Sequence, residues 1–443
     1  GNIEINSTYD LNALKKNLDA LNNPTSNNTP LWYPTFLYTY SELDALGNSL
    51  GTSYPGPTLF AQPGNSLNLN FKNQISVPGL TTEELQKATL IKNSSYGNSS
   101  SDGLGGSTSV NYHLHGSHTT PGGFGDNVIG RYTTGQEWTT KIDLPSDHGI
   151  GSYWYHPHYH PSVNQQVYGG LSGFMQLGDP LSKVPNFKNI PRNLAILKNI
   201  DLTVDQETGK VIITSLDAAG KNTNQMTMVT VNGQFQPTVN GGEGGWQAIT
   251  LSNQTNQAFY NISFVNTSNN GKISNLPIYI FGEDGHQYPQ ILAALGTLGT
   301  SGKNQATSYA QQPNLLSLPP AKRLDALVYL PQGTTQIAST YSFTQTTDSG
   351  LTKTYNNSNM GGYPDLISSN TPAVKGINTS GTGAGPLAIF QVNAAVTPMS
   401  AAQQNDAIAS ANAGISVQKI TPETRPEEYN SNSVPSINLF EQD

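Results

Sequence analysis

The hydrophobic positions of this chain change period early and then keep a short one. In "DLNALKKNLDALNN" the apolar residues fall at Leu11, Leu14, Leu18 and Leu21, the spacing of one short surface helix. From residue 30 to about residue 180 the pattern becomes one of short strands between turns. "PTFLYTY" reads as a strand, and "SLNLNF" alternates apolar and polar positions cleanly. "SVNYHLHG", "EWTTKIDL", "GSYWYHPH" and "GGLSGFMQLGD" continue the series. Many short strands with Gly and Pro turns predict an all-β sandwich or barrel. Residues 1–29 read as a polar lead-in, and "KNSSYGNSSSDGLGGSTS" (92–109) as a low-complexity loop.

"LSKVPNFKNIP" (181–191) reads as a connection to a second domain. There "NLAILKNIDL", "KVIITSL", "MTMVTVNG", "WQAITLSN", "AFYNISFVN", "LPIYIFGEDG" and "RLDALVYL" predict another β-sandwich over 190–345. Residues 346–443 read as a linker leading into the start of a third domain. They begin rich in Gly, Ser, Thr and Asn, then offer a strand in "GPLAIFQVN", a short helix in "AAQQNDAIASANA" and a final strand in "VPSINLFEQD".

Composition narrows the function. The 443 residues carry a net charge of −8 with no Lys/Arg run, which argues against nucleic acid or an anionic membrane as partner. No apolar run approaches the roughly 20 residues of a membrane span. The sequence has no cysteine, so it offers no disulfide, thiolate nucleophile or thiolate metal ligand. The polar start after Gly1 looks like a tag scar on a mature domain. Together with the Asn/Ser/Thr-rich composition it implies a secreted or periplasmic protein whose signal peptide has been removed.

Histidine carries the chemistry. Seven of the eight histidines lie between residues 113 and 160, in "NYHLHGSHTTPGG" and "SYWYHPHYHPSVNQQ" and at His148. Side chains at i and i+2 of a strand share a face, about 6.6 Å apart at roughly 3.3 Å per residue. The pairs His113/His115 and His156/His158, on neighbouring strands, would therefore put four imidazoles on one surface. Imidazole suits copper and zinc, and this spacing suits two or three ions better than one. His148 and His286 read as surface or internally satisfied histidines. Other chemistries are weak. Asp143 and His148 lack a Gly-x-Ser-x-Gly partner for a hydrolase triad, and "GTGAGP" has no following Lys or helix for a phosphate loop.

The flanks extend the pattern. Pro55-Gly-Pro-Thr58, His113-Leu-His-Gly116, Trp154-Tyr-His-Pro-His158, Gln166-Val and Gly170-Leu-Ser-Gly173 follow one another in order. In these segments residues 30–180 resemble the multicopper oxidases, the family of laccases and cuprous oxidases. "TVNGQFQPTV", "YIFGEDGHQYP" and "LPPAKRLDALV" resemble landmarks of the family's middle domain. The resemblance implies two consecutive cupredoxin-like Greek-key β-sandwich domains with long loops and a short C-terminal extension. It implies that His113 binds a type 2 copper, that His115, His156 and His158 bind a type 3 pair, and that Asp126 in "GFGDNV" is the neighbouring acid that helps deliver protons. His118 and His160 have no ligand counterpart.

The departures from the family decide the expected activity. Complete members reduce dioxygen at a trinuclear cluster between their first and third domains, with electrons arriving from a Cys-bound type 1 copper. This chain has no Cys and no His-rich motif after His160. The cofactor expectation is a type 2/type 3 copper half-site with no type 1 copper, and no oxidase turnover in this 443-residue form. The missing wall would come from a third cupredoxin domain, lost from the gene or clipped from the polypeptide, or from another subunit. A small molecule or metal ion would be the substrate of the complete enzyme. The competing reading is a metal-free cupredoxin scaffold or interaction module, and a mononuclear zinc enzyme is a more distant one.

Overall fold

In the computed structural model the described residues are 2–9, 11–23, 36–81, 83–84, 108–160, 162–204, 211–213, 226–255, 260–267, 273–300, 308–346, 352–357 and 387–415. The first domain contains β1 (Asn2–Tyr9), β2 (Phe36–Leu43), β3 (Ser49–Ser53), β4 (Gly56–Ala61), β5 (Ser66–Asn73), β6 (His113–His115), β7 (Glu137–Asp143), β8 (Gly151–His156) and β9 (Gly173–Leu177). They form two sheets, ordered β3-β2-β1-β5-β7 and β4-β9-β8-β6. The neighbours β1/β5 and β4/β9 run parallel, so the chain crosses between the sheets rather than folding as a simple meander. Period-two patterning sets the buried face. In β7 Trp138, Thr140 and Ile142 are buried while Glu137, Thr139, Lys141 and Asp143 are exposed. Ile3, Ile5, Tyr38, Tyr40, Phe71, Tyr153, Tyr155 and Met175 fill the space between the sheets.

Residues 1–29 differ from the expectation of a polar lead-in. Asn2–Tyr9 is the central strand of the first sheet, antiparallel to β2 and parallel to β5. Ile3 and Ile5 supply its core face, two alternating apolar positions in an otherwise polar stretch. The helix expected after it runs Leu11–Asn22. The expected loop 92–109 lies outside the described residues except for its last two positions.

The second domain is another sandwich. One sheet centres on Arg192–Val204, Gly245–Asn253 and Arg323–Leu330, the other on Tyr260–Thr267 and Gly333–Thr346. Arg323–Leu330 is buried at every position because it is covered on both faces. Leu324, Ala326, Val328 and Leu330 face the sandwich core, while Leu327 packs outward on the 181–191 connection. Residues 387–415 also differ from expectation, because they complete this domain. Ala388–Val392 pairs with Gly333–Thr346 and with Thr238–Asn240. Helix Ala401–Asn412, opened by a Ser400/Gln403 capping box, packs Ile408 and Ala411 against Leu181, Val184 and Phe187. The expected final strand in "VPSINLFEQD" lies outside the described residues. The fold is all-β, two consecutive β-sandwiches, as the sequence predicts.

The domains meet along β8. Tyr153 and Tyr155 belong to the first core, so Ser152, Trp154 and His156 take the opposite face. Ser152 Oγ donates to Asp325, and Arg323 Nε donates to Ser152 O at 3.1 Å. Tyr153 Oη lies 2.9 Å from both Gly149 O and Gly285 O.

Candidate metal centre

The register of two short strands assembles the histidines. β6 pairs antiparallel with β8, placing His113 opposite His156 and His115 opposite Trp154. Leu114, between the two histidines, is buried in the core, so both imidazoles emerge on the outer face. Because β6 is the last strand of its sheet, its outer edge needs a partner. Asp126 supplies it. Its Oδ1 accepts the Leu114 N–H at 3.0 Å and its Oδ2 lies 2.9 Å from His113 Nδ1. With the carboxylate ionised, His113 Nδ1 carries the proton and Nε2 is left as the free ligand atom.

The other three imidazoles gather around this one. His156 Nδ1 donates to Pro157 O at 2.8 Å, which leaves its Nε2 as a lone pair, 3.3 Å from His115 Nδ1. Two ligand nitrogens on one tetrahedral ion about 2.05 Å away stand about 3.3–3.4 Å apart, so this pair already has the spacing of a shared ion. Ligand atoms of His113, His115 and His156 all lie within 4.8 Å of one another. His158 joins the ring cluster, 5.1 Å from His113 and 5.9 Å from His156 between centroids. Its backbone N–H is held by Asn111 Oδ1 at 2.6 Å, and its Nδ1 is buried without a hydrogen-bond partner. A buried ring nitrogen with no partner is costly, and a metal ion satisfies it when that nitrogen presents its lone pair. The donor set fits copper: several imidazoles, no thiolate, and an outer carboxylate fixing one tautomer.

Electrostatics favour the neutral form of three of these imidazoles. Burial, followed by the Arg323 guanidinium, lowers the His115 pKa to about 4. Burial holds His156 well below the ordinary histidine range and lowers His158 as well. Neutral imidazole is the metal-binding form, so these three rings need lose no proton to bind near neutral pH.

The sequence did not single out three contributors. Trp154 stacks on His156 at 4.2 Å between centroids and lies 5.1 Å from His115. Its place inside Trp154-Tyr-His-Pro-His158 was the available signal. Asn111, two residues before His113, holds the second histidine segment through His158. Arg323, from the other domain, left no local signal. The remaining histidines stand apart. His160 is exposed, its ring 5.1 Å from His158. His148 is buried with both ring nitrogens engaged, by His118 N–H and by Gly149 O. His118 and His286 are exposed.

No family model matches the chain. A curated multicopper oxidase of Staphylococcus aureus is 30% identical over 155 residues, which is 34% of this chain and 31% of that protein. Solved structures similar to this chain include a multicopper oxidase from Campylobacter jejuni, described as a metallo-oxidase. It has 15% identity and a TM-score of 0.46, with 96% of this chain and 61% of that one covered. A multicopper oxidase from the hyperthermophile Aquifex aeolicus has 14% identity and a TM-score of 0.48, with 90% and 66% covered. The chain thus spans less than two thirds of each of these relatives. The molecule is a two-sandwich β protein with an imidazole cluster on the outer face of its first domain. The resemblance of its sequence to the multicopper oxidases is shown by the curated relative.

Proposed function

We propose that this chain is an exported copper-binding protein contributing the first-domain half of a type 2/type 3 copper cluster. His113, His115, His156 and His158 are the proposed ligands, and Asp126 the acid beside them. The supporting observation is the convergence of three imidazole ligand atoms within 4.8 Å, one of them tautomer-fixed by Asp126. Copper held there would supply redox chemistry toward dioxygen in a complete oxidase. The residues of this chain would orient the ligands: Asp126 and Pro157 O hold the Nδ1 protons of His113 and His156, and Trp154 covers one ring face.

The rest of the cluster is proposed to come from outside these residues, from a third cupredoxin domain or another subunit. Two large apolar side chains near Asp126 in sequence lie open to solvent. Phe124 and Ile129, which flank Asp126 in sequence, are 76% and 86% exposed. With no cysteine for a type 1 copper, the isolated chain is proposed to lack oxidase turnover. Titration of the purified chain with Cu(II) against a competing chelator tests the reading. Saturable binding that includes an ion lost in His113→Ala and in His156→Ala supports it. Binding no tighter than a His-tag background in the parent chain overturns it in favour of the metal-free scaffold.

A further inference from the structure

The histidines left out of this site form a second arrangement across the domain seam. His118 leaves the first domain just after β6, and His286 opens the second-domain strand His286–Ala293. They are 168 positions apart in sequence, yet their ring centroids lie 6.4 Å apart. The seam beneath them is tightly built. Tyr153 Oη reaches Gly149 O and Gly285 O, each at 2.9 Å. Gly285, at φ +89°, has no room for a side chain, since a Cβ there would stand 2.3 Å from the Tyr153 ring. That contact fixes the turn immediately before His286. On the other side, buried His148 fixes His118. Its Nε2 accepts the His118 backbone N–H at 2.9 Å while its Nδ1 faces Gly149 O at 3.1 Å.

We propose that His118 and His286 form a second transition-metal site, separate from the one proposed above, in which one ion joins the two domains. An ion about 2.0–2.1 Å from each ring nitrogen lies about 3.2 Å from each ring centre. Two imidazoles on one ion hold their centres about 6.4 Å apart when the ion lies on the line between them and about 5.2 Å apart at a tetrahedral angle; His118 and His286 stand at the linear limit. Both residues are exposed, so their side chains have room to rotate toward one another by the roughly 1 Å a bent geometry requires, with water completing the coordination. Neither ring has a hydrogen bond or ion pair among the described residues that would compete with metal. The acidic neighbours of His286, Glu283 and Asp284, are occupied by Lys322 Nζ at 2.6 and 2.7 Å. His148 is not a ligand, because both its ring nitrogens are used; it is a positioning residue for His118. The ligand class is a borderline ion that accepts two neutral nitrogens, such as Cu(II) or Zn(II).

The test is Cu(II) and Zn(II) titration of the full chain against a chromophoric chelator, with stoichiometry and affinity read together. Four forms are compared: the parent, His286→Ala, the double variant His118→Ala/His286→Ala, and His113→Ala. His286 is an exposed residue at the start of its strand, so its substitution leaves the core intact. The parent is expected to bind an additional ion whose affinity falls about tenfold or more in His286→Ala. That ion is expected to persist in His113→Ala, which separates failure of this site from failure of the His113 site. Unchanged stoichiometry and affinity in the double variant would overturn the second site. So would a parent chain whose every bound ion disappears in His113→Ala.

Discussion

Single side chains set the chemistry at two places, and each gives a measurable expectation. Asp126 answers two donors at once, the Leu114 N–H and His113 Nδ1. Asparagine offers one oxygen and one NH2 group, so Asp126→Asn leaves one of those donors facing another donor. Copper affinity is expected to fall about 10–100-fold, and stability by about 1–3 kcal/mol, read by chelator competition and urea unfolding. Unchanged affinity would remove Asp126 from the site. Lys198 is the second place. Fully buried, its amine contacts Val167 O, Ser172 Oγ and Gln254 O, and burial lowers its pKa to about 7. A neutral amine satisfies all three contacts, donating to the carbonyls and accepting from the hydroxyl. The unfolded chain holds this proton up to about pH 10.4 and the folded chain releases it near 7. The unfolded state therefore binds more protons across that window, and stability rises with pH there. Thermal melts of the parent and Lys198→Met between pH 7 and 10 should show this rise only in the parent; parallel profiles would refute it. The sequence made the first place legible and not the second. Asp126 lies beside a recognisable His-x-His segment, whereas Lys198 gains its meaning from Val167 and Ser172 in the first domain, which no local pattern announces.

At the scale of elements, legibility followed the strength of alternation. β7 and the long apolar run Arg323–Leu330 could be read directly, because period-two patterning or continuous hydrophobicity marks a strand buried on one face or on two. β1 could not, because only Ile3 and Ile5 mark it among polar neighbours. Its place in the sheet is set by pairing with β2 and β5, which arrive later in the chain. Helix Ala401–Asn412 was visible, but the surface it covers was not, since its partners Leu181 and Phe187 lie in the distant connection. The site depends on one such element contact. Gly173, in β9, lies under the ring of Tyr155 in β8, and a Cβ there would stand 2.2 Å from the Tyr155 ring. Gly173→Ala is expected to push β8 and thereby displace His156, costing about 1–3 kcal/mol and weakening copper binding in the same variant. A Gly173→Ala chain with parental stability and parental copper affinity would mean that β8 adjusts freely, and that the histidine geometry is not set by its packing.

At the scale of the whole molecule, copper should act as a folding ligand without acting as a chromophore of the blue kind. An ion that binds only the folded chain stabilises it by about 2.7 kcal/mol at a free concentration one hundred times Kd. Melts of the metal-free and copper-loaded parent should therefore differ, and the difference should shrink in His113→Ala. The intense blue absorption of a type 1 centre requires a copper–thiolate bond, and the 443 residues contain no cysteine. Copper-loaded chain is thus expected to show only weak absorption, and to consume no dioxygen with phenols or cuprous ion as donors. The two measurements are complementary because they probe opposite walls of one proposed centre. Stabilisation by copper would report the imidazoles that β6 and β8 hold in place, and silence in the oxidase assay would agree with the proposal that further ligands come from elsewhere. Sustained dioxygen consumption by the pure chain would show that these histidines, or a self-assembled set of them, complete a working centre unaided. Binding without turnover would instead agree with the proposal that the remaining ligands come from outside this chain.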